Sequence, residues 1–281
     1  MTKVRIFSFV LWIFRSLLSR KAFFKLNKAI FLLSLRGLGI LNHENDKISG
    51  ERSFIENLSI FLATSHGVFV DVGANIGNYS KLVRSVATSI DIYAFEPHPK
   101  TFSKLKLQSK KSNYVTINAA CGDAETKLRL YDYGGEKSGS SHASLYQDAI
   151  KKLRQERPES WEVNVTTIDA FIKKYKINRI SLLKIDTEGN ELKVLYGAKE
   201  SIRENIVDII HLEFNEMNVF SRVFMKDIYD ALENYSFYRM LPDGLVYLGE
   251  YHPLTLEIFA YQNIVAIRKE IIPQVQSYLH I

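Results

Sequence analysis

The segment Val68–Ser80 constrains this sequence most, because a short apolar run there leads through a glycine turn into a helical pattern. Gly73 and Gly77 allow the backbone to turn tightly and a ligand to approach closely. Apolar side chains then recur at helical spacing over residues 79–86. Short β-branched runs continue to alternate with helical stretches along the chain. This pattern predicts an α/β fold with a mostly parallel sheet covered by helices on both faces.

The strands can be placed along the sequence from these runs. The predicted strands are Val68–Val72, Asp91–Phe95, Tyr114–Asn118, Ser181–Asp186 and Asp208–Phe214, with Ser236–Leu241 and Tyr261–Ile267 closing the sheet in antiparallel fashion. A later helix is predicted to carry Leu192, Leu195, Tyr196 and Ile202 on one side. The long insertion between Gly134 and Glu162 is a candidate lid or substrate loop.

The charge of the chain is distributed unevenly. Of its 37 basic residues, eight lie in residues 1–43, which contain no acid. The remainder then holds 29 basic and 31 acidic residues, a net charge of −2. A nucleic-acid-binding protein would keep its positive field on the globular part, so no nucleic-acid partner is expected. The single cysteine, Cys121, excludes a disulfide scaffold and favours a reducing compartment, which predicts a cytoplasmic protein.

The first part of the chain is predicted to form a basic amphipathic helix. Its apolar run Ile6–Phe14 is too short to span a bilayer, and Arg15 and Arg20 stand where a signal peptide would have small residues. Two interpretations stay open: residues 1–36 contact an anionic membrane surface, or they pack on protein. The chain is accordingly divided into a helical segment, residues 1–48, and a single domain, residues 49–281.

Acidic residues lie at the ends of the first two strands in a pattern typical of adenosine-cofactor sites. Asp71 can take the ammonium group of a ligand, and the helix start offers N–H groups to its anionic end. Glu96 follows Gly73 by 23 residues, near the spacing of an acid that binds a ribose diol. A dinucleotide turn would have a second glycine where Asn75 stands, so S-adenosylmethionine fits better than NAD.

Two further strands end in acids. Asp186 is expected to face the same crevice as Asp71 and Glu96, whereas Glu188 could equally be a helix N-terminal charge. Glu213 needs either a positive partner or a raised pKa suited to a general base, and His211 is expected to be a core residue. Asp186 and Glu213 without a third ligand are a weak metal signal, so no metal site is predicted.

Taken together, three blocks resemble the FkbM family of S-adenosylmethionine-dependent methyltransferases. They are Asp71-Val-Gly-Ala-Asn-Ile-Gly77, Phe95-Glu-Pro97 and Lys184-Ile-Asp-Thr-Glu-Gly-Asn-Glu191. The resemblance covers roughly residues 49–214. It implies a class I methyltransferase (Rossmann-like) fold and transfer of a methyl group to a hydroxyl oxygen, often on a sugar or a natural product.

The resemblance also implies roles for individual residues. The methionine end of the cofactor would be lined by Asp71, Gly73, Asn75 and Gly77, the ribose would be held by Glu96, and the adenine would be bordered by Asn118 and the turn Ala119–Asp123, which ends in Asp123.

A methyl transfer needs alignment of the acceptor oxygen and removal of its proton. Asp186 is the predicted base, with Glu213 and His142 as rivals. The sequence thus predicts an O-methyltransferase for a saccharide or glycolipid precursor of a surface glycan, with an NAD-dependent oxidoreductase as the alternative.

Overall fold

The computed structural model describes residues 2–133 and 158–281. Its helices are α1 (Thr2–Ile13), α2 (Phe24–Gly37), α3 (Glu51–Thr64), α4 (Asn78–Val86), α5 (Pro99–Ser112), α6 (Ile168–Tyr175), α7 (Glu191–Tyr196), α8 (Lys199–Arg203), α9 (Met217–Ser221), α10 (Met225–Ala231), α11 (Pro253–Leu256) and α12 (Ile272–Leu279). Its strands are β1 (Val68–Val72), β2 (Asp91–Phe95), β3 (Val115–Ile117), β4 (Ala120–Cys121), β5 (Thr126–Tyr133), β6 (Pro158–Thr166), β7 (Ile180–Ile185), β8 (Val207–Phe214), β9 (Tyr235–Leu241), β10 (Gly244–Tyr247) and β11 (Gln262–Arg268).

An eight-stranded sheet forms the centre of the molecule, in the order β10-β9-β11-β8-β7-β1-β2-β3. Five neighbouring strands of this sheet, β8, β7, β1, β2 and β3, are parallel to one another. Strand β11 runs antiparallel to both β8 and β9. Helices pack on both faces of this mostly parallel sheet. The fold class expected from the sequence is therefore confirmed, as is the antiparallel closure of the sheet.

Apolar side chains cover both faces of this sheet, because the strands alternate their side chains between the two faces. On β1, Phe69 packs with α3, α4 and α12, whereas Val70 and Val72 pack on the opposite face with α6, α7 and α10. All six residues of β7 are buried. Burial on both faces is what a central parallel strand requires, and it explains the continuous apolar runs in the sequence.

The predicted helix over residues 192–202 is wrong as a single element. The structure contains two short helices there, α7 and α8, and Tyr196 is exposed instead of facing the core with Leu195. The break falls at Gly197, whose carbonyl accepts the Asp169 N–H at 2.9 Å. A Cβ at Gly197 would lie 1.9 Å from the Gly122 carbonyl oxygen, so this close approach fixes the chain path.

The predicted insertion ends too late. Residues 158–162 belong to β6, which pairs antiparallel with β5 in a second sheet of order β4-β6-β5. The sequence signal for β6 is the alternation of polar and apolar side chains over residues 160–166, directly after the Gly- and Ser-rich stretch. The remainder of the candidate lid, and His142 with it, lies outside the described residues.

The N-terminal helices precede the sheet, and the chain directly after α2 contacts its antiparallel strands. An antiparallel bridge links Ile40 to Gln262 on β11, and the Leu41 N–H donates to the Tyr261 carbonyl at 2.8 Å. None of the helices in the described part of the chain is long and apolar enough to cross a membrane.

Candidate active site

A row of polar side chains crosses the sheet near the carboxyl ends of its parallel strands. Asp71 on β1 lies opposite Lys184 on β7, and Lys184 lies opposite His211 on β8. One step further along the strands, Glu213 lies opposite Asn263 on β11. Since opposed residues of neighbouring strands face the same side of a sheet, one face carries all these groups. The ends of the strands are where open α/β sheets bind ligands.

The glycine turn after β1 brings this row against the start of α4. Gly73 adopts φ +82°, and a Cβ there would lie 1.8 Å from the Asp186 carbonyl oxygen. At Gly77, φ is +89° and a Cβ would lie 2.2 Å from the Tyr114 hydroxyl. Both glycines are therefore required by contacts within the protein. Their contact with a ligand stays a prediction.

We expect Gly73→Ala to lower the free energy of unfolding by about 2–3 kcal/mol, because the methyl group would push β1 away from β7. Gly37→Ala is the matched control, since no atom lies within 4 Å of a Cβ at that exposed position. Urea unfolding of both variants measures the difference. Equal stability of the two variants would contradict the required close approach.

Lys184 is the buried cation of the row. Its Nζ donates to Asp186 Oδ2 at 2.9 Å and lies 5.1 Å from the centre of the Tyr79 ring. Burial opposes the charge on Lys184, but Asp186, Asp71 and Glu51 outweigh that effect and hold its pKa above the usual value. Lys184 therefore stays protonated and compensates the surrounding carboxylates.

Asp71 lies beneath the glycine turn and is fully buried. Its Oδ2 accepts the Ser80 hydroxyl at 2.6 Å, and Oδ1 has no protein partner among the described residues. Burial raises the pKa of Asp71, while Lys184 and the Ser80 hydrogen bond oppose that rise. Its direct contact with a ligand ammonium stays a prediction, because Asp71 does not line the pocket described next.

A pocket of about 200 Å³ opens above this row. It is lined by the glycine turn with the start of α4, by Lys184 and Asp186 from the end of β7, and by Asp46 and Glu51 from the segment before and at the start of α3. Burial raises the pKa of Glu51, and nearby Lys184 opposes the rise. The pocket thus brings acids from two distant parts of the chain around a single lysine.

Glu96 extends the site on the other side of the turn. Its Oε2 accepts the Asn75 N–H at 3.0 Å, and its Oε1 accepts the His98 N–H at 2.8 Å. Burial raises the pKa of Glu96 to about 7, with smaller contributions in the same direction from Asp71 and Asp186. The side chain is therefore fixed against the turn, and each oxygen keeps a lone pair for a further donor.

Glu213 and His211 differ sharply in their capacity to take a proton. Burial raises the pKa of Glu213 well above its ordinary value, helped by Asp186 and Glu188, although Asn215 donates to it at 2.6 Å. The raised pKa is one of the two outcomes expected from the sequence. The His211 side chain is buried, and its Nδ1 shares a hydrogen bond of 2.9 Å with the Tyr79 hydroxyl. Burial lowers the pKa of His211 to about 3. The expectation that it is a core residue is confirmed.

Five predicted cofactor residues do not line this pocket: Asp71, Gly77 and Glu96, and in addition Asn118 and Asp123. The Asn118 amide donates to the carbonyls of Glu96 at 2.8 Å and Pro97 at 3.1 Å, so it supports the strand end that carries Glu96. Asp123 is exposed in the turn after β4. Their contact with an adenine stays a prediction. His142 lies outside the described residues.

The loop after β7 is held by Glu191, a residue whose role the sequence did not indicate. Its Oε1 accepts the Thr187 N–H at 3.0 Å, the Thr187 hydroxyl at 2.9 Å and the Gly189 N–H at 3.1 Å. Glu188, between them, adopts φ +54°. These bonds fix the backbone that follows Asp186.

The sequence patterns also did not indicate Lys184 and Glu51 as residues of the site. The signal for Lys184 was a lone lysine in an otherwise apolar strand, since an unpaired ammonium is not buried. The signal for Glu51 was weaker, because it depends on a contact between distant parts of the chain. Within the described residues, no group of three or more His, Cys, Asp or Glu side chains is arranged to hold a metal ion.

Comparison with known proteins gives a family match over the sheet and this site. Residues 71–238, more than half of the chain, match the model of the methyltransferase FkbM domain. Methyltransferase 1 of Beauveria bassiana is 30% identical over 155 residues, which are 50% of this chain and 62% of that protein. The hexuronic acid methyltransferase AglP of Haloferax volcanii is 27% identical over 165 residues, 58% of this chain and 63% of that protein.

A third relative, the 2-O-methyltransferase NoeI of Sinorhizobium fredii, is 21% identical over 194 residues, 63% of this chain and 76% of that protein. The chain thus spans less than two thirds of the first two relatives. The sheet order, the glycine turn with its acids and the match over residues 71–238 agree, and the chain belongs to the methyltransferase FkbM domain family.

Proposed function

We propose that the protein is an S-adenosylmethionine-dependent O-methyltransferase that acts on a hydroxyl group of a saccharide or of a glycolipid precursor of a surface glycan. The observation that carries this proposal is the acidic pocket at the carboxyl ends of the strands, beside the glycine turn and Glu96.

The charge of this site suits a cationic ligand. Glu51, Asp71 and Asp186 surround one lysine, Lys184, so the cluster is negative when its acids are ionised. S-adenosylmethionine carries an ammonium and a sulfonium group near its methyl group, and both would be stabilised here. When bound, it supplies a methyl group already activated for transfer. Oδ1 of Asp71, which has no protein partner in the described structure, is consistent with a further donor nearby.

Glu96 suits the ribose of the same cofactor. A carboxylate oxygen has two lone pairs, so the two oxygens that accept the Asn75 and His98 N–H groups can each accept a ribose hydroxyl as well. The backbone bonds hold the carboxylate in place before the ligand arrives, which reduces the entropy lost on binding.

We propose Asp186 as the general base that takes the proton of the acceptor hydroxyl, because it lines the pocket and Lys184 holds its carboxylate in one orientation. The greater part of the rate acceleration then comes from alignment of the acceptor oxygen behind the methyl carbon. Glu213 is the rival base, since its raised pKa gives it a high proton affinity.

An NAD-dependent oxidoreductase is the alternative, and the pocket charge disfavours it. Asn75 occupies the place of the second glycine, and the acids of the pocket would repel a pyrophosphate. Calorimetry with S-adenosylhomocysteine and with NAD separates the two. Binding of NAD alone would overturn the proposal.

The acceptor is proposed from chemistry and from relatives together. AglP is named for a hexuronic acid and NoeI for a 2-O position, so a sugar hydroxyl is the class of acceptor we propose. Incubation of the full chain with methyl-labelled S-adenosylmethionine and a panel of cell-surface saccharides tests it. Label on a saccharide is expected. Cofactor binding without any transfer would instead support a catalytically silent scaffold.

The pKa of Glu96 predicts a pH-dependent affinity for the cofactor. Its folded pKa of about 7 lies above the usual value, so the carboxyl group is protonated below that pH and ionised above it. We expect the affinity for S-adenosylhomocysteine to fall about tenfold from about pH 8 to about pH 6, because the ionised form accepts both ribose hydroxyls. Calorimetry at several pH values measures this slope.

The variant Glu96→Gln distinguishes the contribution of Glu96 to this pH dependence from that of other titrating groups. The amide keeps the shape of the side chain but accepts at only one atom, so we expect affinity roughly 100-fold weaker and nearly independent of pH. Glu233→Gln on the exposed surface is the control and should leave the affinity unchanged. A slope that persists in Glu96→Gln would exclude Glu96 as its source.

We propose the cytoplasm as the location. The only cysteine is buried, and burial raises its pKa, so it stays a thiol that forms no disulfide in the described structure.

A further inference from the structure

The N-terminal helical segment, residues 8–38, exposes an unusual amount of apolar surface. Of the 27 large apolar side chains that are exposed in the described structure, fourteen lie in these 31 residues. Trp12, Phe24 and Leu33 are 65%, 69% and 69% exposed. In α2, only Leu35 is buried. A large exposed apolar patch of this kind marks an interaction surface for another protein or for a membrane.

The same segment is positively charged, with six Lys and Arg and no acid between residues 8 and 38. Residues 1–43 contain eight Lys and Arg and no acid. Arg36 pairs with Glu44, but Arg15, Lys21, Lys25 and Lys28 form no ion pair with any described residue. These cations are therefore free to meet an anionic surface.

We propose that residues 8–38 bind the headgroup region of an anionic lipid bilayer, with their apolar side chains in its outer layer. Apolar and aromatic side chains beside lysines are the combination that holds a helix at such an interface. A second copy of this surface would bring six further positive charges against the first six, which disfavours self-association through it.

The helix lengths suit a position along the membrane surface. The 14 residues of α2 extend about 21 Å, whereas the hydrocarbon layer is about 30 Å thick. A π-helical turn, Phe14–Leu18, and a 3₁₀ turn, Lys21–Phe23, separate α1 from α2 and let the two helices lie at different angles on one surface.

The exposed helices lead along the chain into the segment that lines the pocket. Leu41 bonds to Tyr261 beside β11, and Asp46 and Glu51, a few residues later, line the pocket. The wall of the pocket thus continues directly from the exposed helices. Binding of residues 8–38 to a membrane therefore also keeps the pocket at that membrane.

Sedimentation of the full chain with vesicles tests the surface. We expect binding to phosphatidylcholine vesicles that contain phosphatidylglycerol, weaker binding to phosphatidylcholine alone, and loss of binding as salt is raised. Lys25→Ala with Lys28→Ala should weaken binding to the anionic vesicles by roughly 30-fold, because each basic residue near such a surface contributes a factor of about five. Lys106→Ala with Lys110→Ala, exposed on α5, is the matched control and should leave binding unchanged.

The apolar contribution is tested in the same way. Phe31→Ser with Leu33→Ser should weaken binding at least tenfold, whereas Leu107→Ser with Leu254→Ser, equally exposed elsewhere, should not. Quenching by bromine-labelled lipid then locates the segment. Trp161→Phe leaves Trp12 as the only tryptophan and should still be quenched, and Trp12→Phe should not.

Failure to sediment with anionic vesicles overturns the proposal, as does equal loss of binding in the control pairs. Light scattering without lipid tests whether a second copy of the chain binds the surface instead. A dimer that Phe31→Ser with Leu33→Ser converts to a monomer would show that it does. None of these measurements depends on methyl transfer, so they stand apart from the proposed activity.

Discussion

Lys184→Met is expected to lower the free energy of unfolding by about 4 kcal/mol near neutral pH. The substitution keeps an unbranched apolar side chain but leaves Asp71, which is fully buried, without its neighbouring cation. Removal of one partner from a buried charge cluster costs far more than the cluster contributes as a whole, because the remaining charge cannot be solvated. Urea unfolding of wild type and variant measures the loss.

The loss should shrink as the pH falls. Burial already raises the pKa of Asp71, and removal of Lys184 raises it further. A carboxyl whose folded pKa is raised binds its proton more tightly in the folded state, so the variant gains stability from about pH 8 to about pH 5 relative to wild type. Lys199→Met on the exposed side of α8 is the control and should be neutral at every pH. A loss that does not vary with pH would contradict the assigned role of Lys184.

Asp186→Asn is expected to lower kcat roughly 1,000-fold while leaving the affinity for S-adenosylhomocysteine within a few-fold of wild type. The amide fits the same space but cannot take the acceptor proton, and general base catalysis contributes factors of about 10²–10⁴. Single-turnover transfer from labelled cofactor to the acceptor found in the saccharide panel measures the rate, and calorimetry measures the affinity.

Glu213→Gln distinguishes the rival base. If Asp186 takes the proton, Glu213→Gln should lower kcat only modestly, through its neighbour Asn215 and the local charge. The reverse order of the two rates would assign the proton to Glu213. Full activity of Asp186→Asn would remove Asp186 from this role.

The strand ends that carry the acids could be predicted from the sequence, because buried parallel strands are apolar runs and each acid stands within the last two residues of one or directly after it. The prediction of β1 and β2 is confirmed to the residue, and β7, β8 and β11 begin and end within one residue of the prediction. Their order in the sheet needed the closing strand between β8 and β9, which the sequence indicated only as an antiparallel end.

Contacts between distant segments could not be predicted. The methyl group of an alanine at position 73 meets the backbone of Asp186, more than a hundred residues away, and no local pattern records that approach. Glu51 faces Lys184 for the same reason. The break at Gly197 depends on Gly122 in another element, so helical periodicity alone predicted one helix where two are found.

The N-terminal segment shows where periodicity was insufficient. One amphipathic helix was predicted from its first residues, whereas α1 ends at Ile13 and a π-helical turn follows. Apolar side chains of the described segment are exposed well beyond one stripe.

A crystal structure of the protein with S-adenosylhomocysteine tests the central claim most directly. We predict that both ribose hydroxyls lie within hydrogen-bond distance of the Glu96 carboxylate, and that the amino-acid end of the ligand enters the pocket between Asp186 and the glycine turn. A ligand bound elsewhere, or a ribose that does not touch Glu96, would contradict it.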